Sequence, residues 1–102
     1  MIKLKTGVKL ANLQPQIALA IQVAYSVYQD NGFNDLRITS LNDSGHSHTS
    51  LHYSGNAVDL GVIGFVDAQR AKLAQEINGA LGTDFDVLDE GNHIHIEYQP
   101  RR

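Results

Sequence analysis

Five histidines in a chain of 102 residues are a surplus, and their placement says more than their number. His46, His48 and His52 fall within one stretch rich in Ser, Asn, Asp and Gly. His93 and His95 are separated by one residue, so on a strand their imidazoles share a face. Asp59 lies inside the apolar run Ala57-Val58-Asp59-Leu60-Gly61-Val62, where a carboxylate is costly unless it is paired, hydrogen-bonded or metal-bound. A single metal ion accounts for all of these features. Zinc accepts imidazole nitrogen and carboxylate oxygen, and a catalytic zinc keeps three protein ligands plus a water. Two imidazoles and one carboxylate leave the ion a net positive charge, so that its water ionises near a pKa of about 7.

The elements that must carry these side chains can be read from periodicity. Residues 2–10 alternate weakly and read as a short strand or an ordered arm. From Pro15 to Gln29 the apolar residues Ile17, Ala20, Ile21, Ala24 and Tyr28 recur at helical spacing, with Pro15 suited to a first turn and Asn31-Gly32 to a stop. Leu36-Arg37-Ile38-Thr39 reads as a strand, and residues 40–51 as a loop. Ala57–Val62 reads as a buried strand. Asp67 is placed to cap a second helix, running to about Ala80 with Ala74, Ile77 and Leu81 on its inner face and ended by Gly82. Phe85–Leu88 and His93–Tyr98 read as two more strands, joined by the turn Glu90-Gly91-Asn92. The outline is α+β, a small and mainly antiparallel sheet packed with two helices, in one domain over residues 1–102.

Composition narrows the function classes. The net charge is −3 and the Lys and Arg residues are scattered, so the clustered basic face that nucleic acid requires is not expected. There is no cysteine, which excludes a disulfide framework and thiolate ligation. No segment approaches the roughly 20 apolar residues of a membrane span, and Met1-Ile2-Lys3-Leu4-Lys5 does not read as the start of a signal peptide. Synthesis in the cytoplasm and a monomeric chain are the expectations.

Ser50-Leu51-His52-Tyr53-Ser54-Gly55-Asn56-Ala57-Val58-Asp59 resembles the Ser-x-His-x-x-Gly-x-Ala-x-Asp signature of the D-Ala-D-Ala carboxypeptidase superfamily. That group takes in lysostaphin-type enzymes, D-Ala-D-Ala dipeptidases, phage L-Ala-D-Glu endolysins and the hedgehog signalling domain. Its second signature, His-x-His, is matched by His93-Ile94-His95. Leu36-Arg37-Ile38-Thr39, Gly45-His46 and Ser50-Leu51-His52-Tyr53 are most similar to the hedgehog wording, and the likeness spans residues 36–98. The resemblance implies a hedgehog-like or DD-peptidase-like fold with Zn2+ held by His52, Asp59 and His95. It gives His93 a part in catalysis or substrate orientation and makes His46 a further site histidine.

The general base falls among Asp89, Glu90 and His93. The dipeptidases carry a Glu three positions before the last ligand, where this chain has Asn92; hedgehog carries its Glu six before, where this chain has Asp89. Counting along the strand puts Asp89 on the face of His95 and favours it, with Glu90 next. Arg37 is the basic side chain nearest the position of an oxyanion-stabilising group, and Ser50 is a candidate to hydrogen-bond a ligand. The hedgehog calcium cluster is not reproduced, because Ser40 and Asn42 stand where carboxylates are needed.

The expected activity is therefore zinc-dependent hydrolysis of a peptide bond in peptidoglycan peptides, of D-Ala-D-Ala carboxypeptidase or L-Ala-D-Glu endopeptidase type. Small size and the lack of a readable leader are similar to phage-encoded endolysins. The competing reading is a hedgehog-like, zinc-stabilised binding module without turnover. The same ligands also suit iron, manganese or nickel. Without a metal, His52, Asp59 and His95 would form a buried polar network, Asp89 and Glu90 would be plain turn residues, and Arg37 a strand-surface residue.

Overall fold

A computed structural model describes residues 1–9, 13–41 and 56–99. In chain order the elements are β1 (Ile2–Leu4), α1 (Pro15–Asp30), β2 (Leu36–Leu41), β3 (Ala57–Gly61), α2 (Asp67–Leu81), β4 (Phe85–Asp89) and β5 (His93–Tyr98). The strands form one sheet in the order β1-β2-β3-β5-β4. Among the described residues, only the β1–β2 pairing is parallel; the other three are antiparallel. The described residues thus form a small α+β structure with two helices and a mostly antiparallel sheet.

The hydrophobic core lies between the sheet and the helices. Helix α1 contributes Ile17, Ala20, Ile21, Ala24 and Tyr28, the apolar stripe its periodicity predicts, and α2 contributes Leu73, Ala74 and Ile77. Leu36, Ile38, Val58, Leu60, Ile94 and Ile96 meet them from the sheet, each 1% exposed or less. Removing these side chains from water is the main force holding the layers together. Tyr28 is fully buried, and its hydroxyl donates to the Gly61 carbonyl at 3.2 Å, tying α1 to the end of β3. Its ring packs edge-on against Phe33 and tilts against Phe65, while Phe33 and Phe65 stack at 4.3 Å between centroids. At the end of α1, Asn31 Nδ2 donates to Val27 O and to Glu76 Oε1 of α2, both at 2.8 Å, and Gly32 then takes φ +87° to turn the chain.

Several boundaries differ from the sequence expectation. Strand β2 continues through Ser40 to Leu41, because its register shifts between Ile38 and Ser40, and Leu41 then pairs with Val58 and is buried. Asp67 opens α2 as its first residue, with Val66 in the capping position. Gln69 Oε1 accepts from the Val66 amide at 3.0 Å, while Asp67 accepts from Arg70. Asp67 still supports the helix, since a negative charge in the first turn opposes the positive end of its dipole. Among the described residues, no helix is long and apolar enough to cross a membrane.

Candidate metal centre

The site is built on the face of the sheet turned away from the helices. Along β5 the apolar Ile94 and Ile96 point into the core, so His93, His95 and Glu97 must occupy the opposite face. In the β3–β5 register Asp59 is opposite His95 and Gly61 opposite His93. Cross-strand partners share a face, so Asp59 joins the histidines. Its place in an apolar strand follows from the same alternation: Val58 and Leu60 enter the core, and Asp59 does not.

The β4–β5 turn decides which carboxylate reaches the cluster. Asp89 is opposite Ile94, and Leu88 opposite His95. The Glu90 amide donates to the His93 carbonyl at 3.0 Å, which makes Glu90 and His93 the closing pair and leaves Gly91-Asn92 as the tip. Gly91 has φ +91°, the left-handed conformation such a tight turn needs. Glu90 therefore lies on the face of His93.

Asp89 lies on the other face, contrary to the strand count. There it accepts from Arg70 Nε of α2 and from the Gly91 amide. The Arg70 guanidinium holds the Asp89 carboxyl below the usual carboxylate range.

Asp59, Glu90, His93 and His95 each offer one ligand atom, and these atoms all lie within 4.8 Å of one another. His95 Nδ1 is 2.6 Å from Asp59 Oδ1, and His95 Nε2 is 2.7 Å from Glu97 Oε1. His93 Nε2 is 3.0 Å from Glu90 Oε1 and 3.7 Å from Asp59 Oδ1. His93 Nδ1 faces Asn92 Oδ1 at 2.5 Å. His95 is 7% exposed, whereas Glu90 lies at the rim. Burial disfavours an imidazolium at His95, but the hydrogen bonds and charges of Asp59 and Glu97 outweigh it and raise the pKa to about 9.

This donor set fits a divalent cation. Imidazole and carboxylate together suit zinc, and suit iron, manganese or nickel as well. The spacing also fits: donors about 2.0–2.2 Å from one ion lie a little over 3 Å apart, so small shifts of Asp59 and His95 would admit it.

Beside the cluster, toward β2, an open cleft of about 400 Å³ has Lys5, Arg37, Thr39, Asp59, Gly61 and His93 among its walls. Gly61 keeps this floor low: a methyl group there would stand 3.2 Å from Thr39 Cγ2 and 3.3 Å from Arg37 Cβ. Thr39 Oγ1 donates to the Asp59 carbonyl at 3.3 Å and braces the strand beneath the carboxylate.

Of the residues singled out from sequence, Asp59, His93, His95 and Glu90 are brought together, Arg37 lines the adjoining cleft, and Asp89 is not in the cluster. His46, Ser50 and His52 lie outside the described residues. Glu97 escaped the sequence reading. The polar-apolar alternation His93, Ile94, His95, Ile96, Glu97 is the signal that aligns it with the histidines.

No protein-family model matches the chain, and no curated protein matches it.

Proposed function

We propose that this chain is a zinc-dependent peptidase of the D-Ala-D-Ala carboxypeptidase and hedgehog type, hydrolysing a peptide bond in bacterial cell-wall peptides. The reading rests on the two sequence signatures. The single observation that carries it further is the 2.6 Å approach of His95 Nδ1 to Asp59 Oδ1, with His93 and Glu90 beside them. In this proposal His52, Asp59 and His95 hold the metal. When bound, zinc supplies a Lewis acid for the scissile carbonyl and an acidified water.

The protein's own groups then divide the remaining work. Glu90 accepts the proton of the attacking water and returns it to the leaving amine, as a general base and then a general acid. Its Oε1, 3.0 Å from His93 Nε2, gives His93 the task of orienting it and sharing the proton. Asp89 is a poor base, since Arg70 stabilises its ionised form. The substrate peptide lies in the cleft beside Gly61, where Arg37 is available to a carbonyl oxygen or a carboxylate.

The test is mass spectrometry of peptidoglycan fragments incubated with the zinc-loaded protein, with a chelated control and the His52→Ala and Asp59→Ala variants. A new peptide product that disappears with chelator and in both variants is expected. Unchanged hydrolysis in either variant would sink the assignment. A second reading, a zinc-stabilised binding module, is favoured by Asn92 standing where the dipeptidases carry Glu. Tightly bound zinc with no product from any fragment would select it.

A further inference from the structure

We infer that Glu97 is a positioning residue that fixes which nitrogen of His95 faces the metal. This rests on the zinc reading above, and concerns a carboxylate that neither sequence signature contains. Glu97 follows His95 by two positions on β5 and shares its face. Its Oε1 lies 2.7 Å from His95 Nε2, and its Oε2 accepts from Gln99 Nε2 at 2.8 Å. The carboxylate is thus held at both ends, with one oxygen aimed at the ring. On the other side of the ring, Nδ1 is 2.6 Å from Asp59 Oδ1.

An imidazole that ligates through one nitrogen carries its proton on the other, and in a ring only 7% exposed that N–H needs an acceptor. Among the described residues, the carboxylates of Asp59 and Glu97 compete for it. If Asp59 were the sole partner, the favoured tautomer would place the proton on Nδ1, between His95 and Asp59, where the ion must sit. Glu97 offers an acceptor at Nε2 and so leaves the Nδ1 lone pair and the Asp59 oxygen together for the metal. Carboxylate–histidine–metal arrays work in this way, orienting the ring and raising its basicity. Glu97 itself lies outside the group of ligand atoms that converge within 4.8 Å, which separates its task from theirs.

The experiment is zinc titration against a competing chelator for the wild type, Glu97→Leu and Glu97→Gln, combined with long-range proton–nitrogen NMR of the zinc-loaded wild type. The spectrum should show His95 metal-bound through Nδ1 and protonated at Nε2. Glu97→Leu should weaken zinc binding about 10–100-fold, and Glu97→Gln, which keeps an acceptor oxygen, should stay within about threefold of wild type. Zinc bound through Nε2, or a Glu97→Leu affinity equal to wild type, would overturn the inference while leaving the zinc reading intact. Absence of zinc binding by the wild type would remove both. If Glu97→Leu does not fold, the NMR assignment and Glu97→Gln decide the matter.

Discussion

Glu90 and His93 face each other across the β4–β5 turn, with Glu90 Oε1 3.0 Å from His93 Nε2. The backbone sets this meeting: the Glu90 amide donates to the His93 carbonyl, and Gly91-Asn92 form the tip. One residue back along β4, Asp89 points through the sheet to Arg70. Adjacent acids in sequence thus work on opposite faces.

That separation predicts opposite phenotypes. On the proposed role, Glu90→Gln should lower kcat by about 10²–10⁴-fold with zinc content unchanged, the usual cost of losing a general base. Asp89→Asn should keep kcat near wild type and lower the thermal midpoint by no more than about 4 °C, because its ion pair with Arg70 is partly solvated. Steady-state kinetics with metal analysis checks both. Equal losses in the two variants would contradict the assignment of Glu90.

The zinc-free protein should lose stability as pH rises from about 6.5 through about 9. His95 has its folded pKa raised to about 9, because the two carboxylates outweigh the effect of burial. A pKa raised on folding means that the folded state holds the proton more tightly. The resulting stabilisation is fully present below the unfolded value of about 6.5 and is lost as pH passes the folded value. Thermal melts in chelator across this window, compared with His95→Asn, measure it. On the proposed ligation, zinc displaces the proton at Nδ1, so proton release on binding and an affinity that increases with pH up to about 9 are expected by calorimetry in buffers of different ionisation enthalpy.

Tyr28→Phe should destabilise the protein by about 1 kcal/mol. The change removes the 3.2 Å hydrogen bond to the Gly61 carbonyl and leaves that acceptor buried, while the ring keeps its packing on Phe33 and Phe65. Urea denaturation reads the difference. A neutral result would mean that the carbonyl finds another donor.

Gly61→Val should raise KM at least about tenfold without reducing zinc content. A side chain there stands 3.2 Å from Thr39 Cγ2 and 3.3 Å from Arg37 Cβ, closer than ordinary van der Waals contact, so it presses on β2 and fills the cleft beside His93; a displaced substrate loses binding contacts at about 1.4 kcal/mol per tenfold. Kinetics and metal analysis on the same preparation test it, and an unchanged KM would place the substrate elsewhere.

Much of the frame is legible in the amino-acid order because it is local. The stripe Ile17, Ala20, Ile21, Ala24 and Tyr28 specifies a helix and its buried face, and all five residues are buried. The alternation His93, Ile94, His95, Ile96 specifies which β5 residues leave the core, and Asp59 between Val58 and Leu60 follows the same rule. The period of a helix or strand is set by the backbone alone, so a run of a few residues suffices to show it.

Relations across strands were decided by the tertiary structure. Alternation fixes faces within a strand but cannot carry the count through a turn, because the number of tip residues sets which positions pair. A two-residue tip at Gly91-Asn92 pairs Glu90 with His93 and sends Asp89 to Arg70, the reverse of the count along the chain. The partners of His95 depend on the same kind of fact: Asp59 reaches Nδ1 because β3 lies beside β5 in that register, and Glu97 reaches Nε2 because the ring is turned toward it. Residue types supplied side chains that could hold a metal; strand register and turn length decided which of them meet.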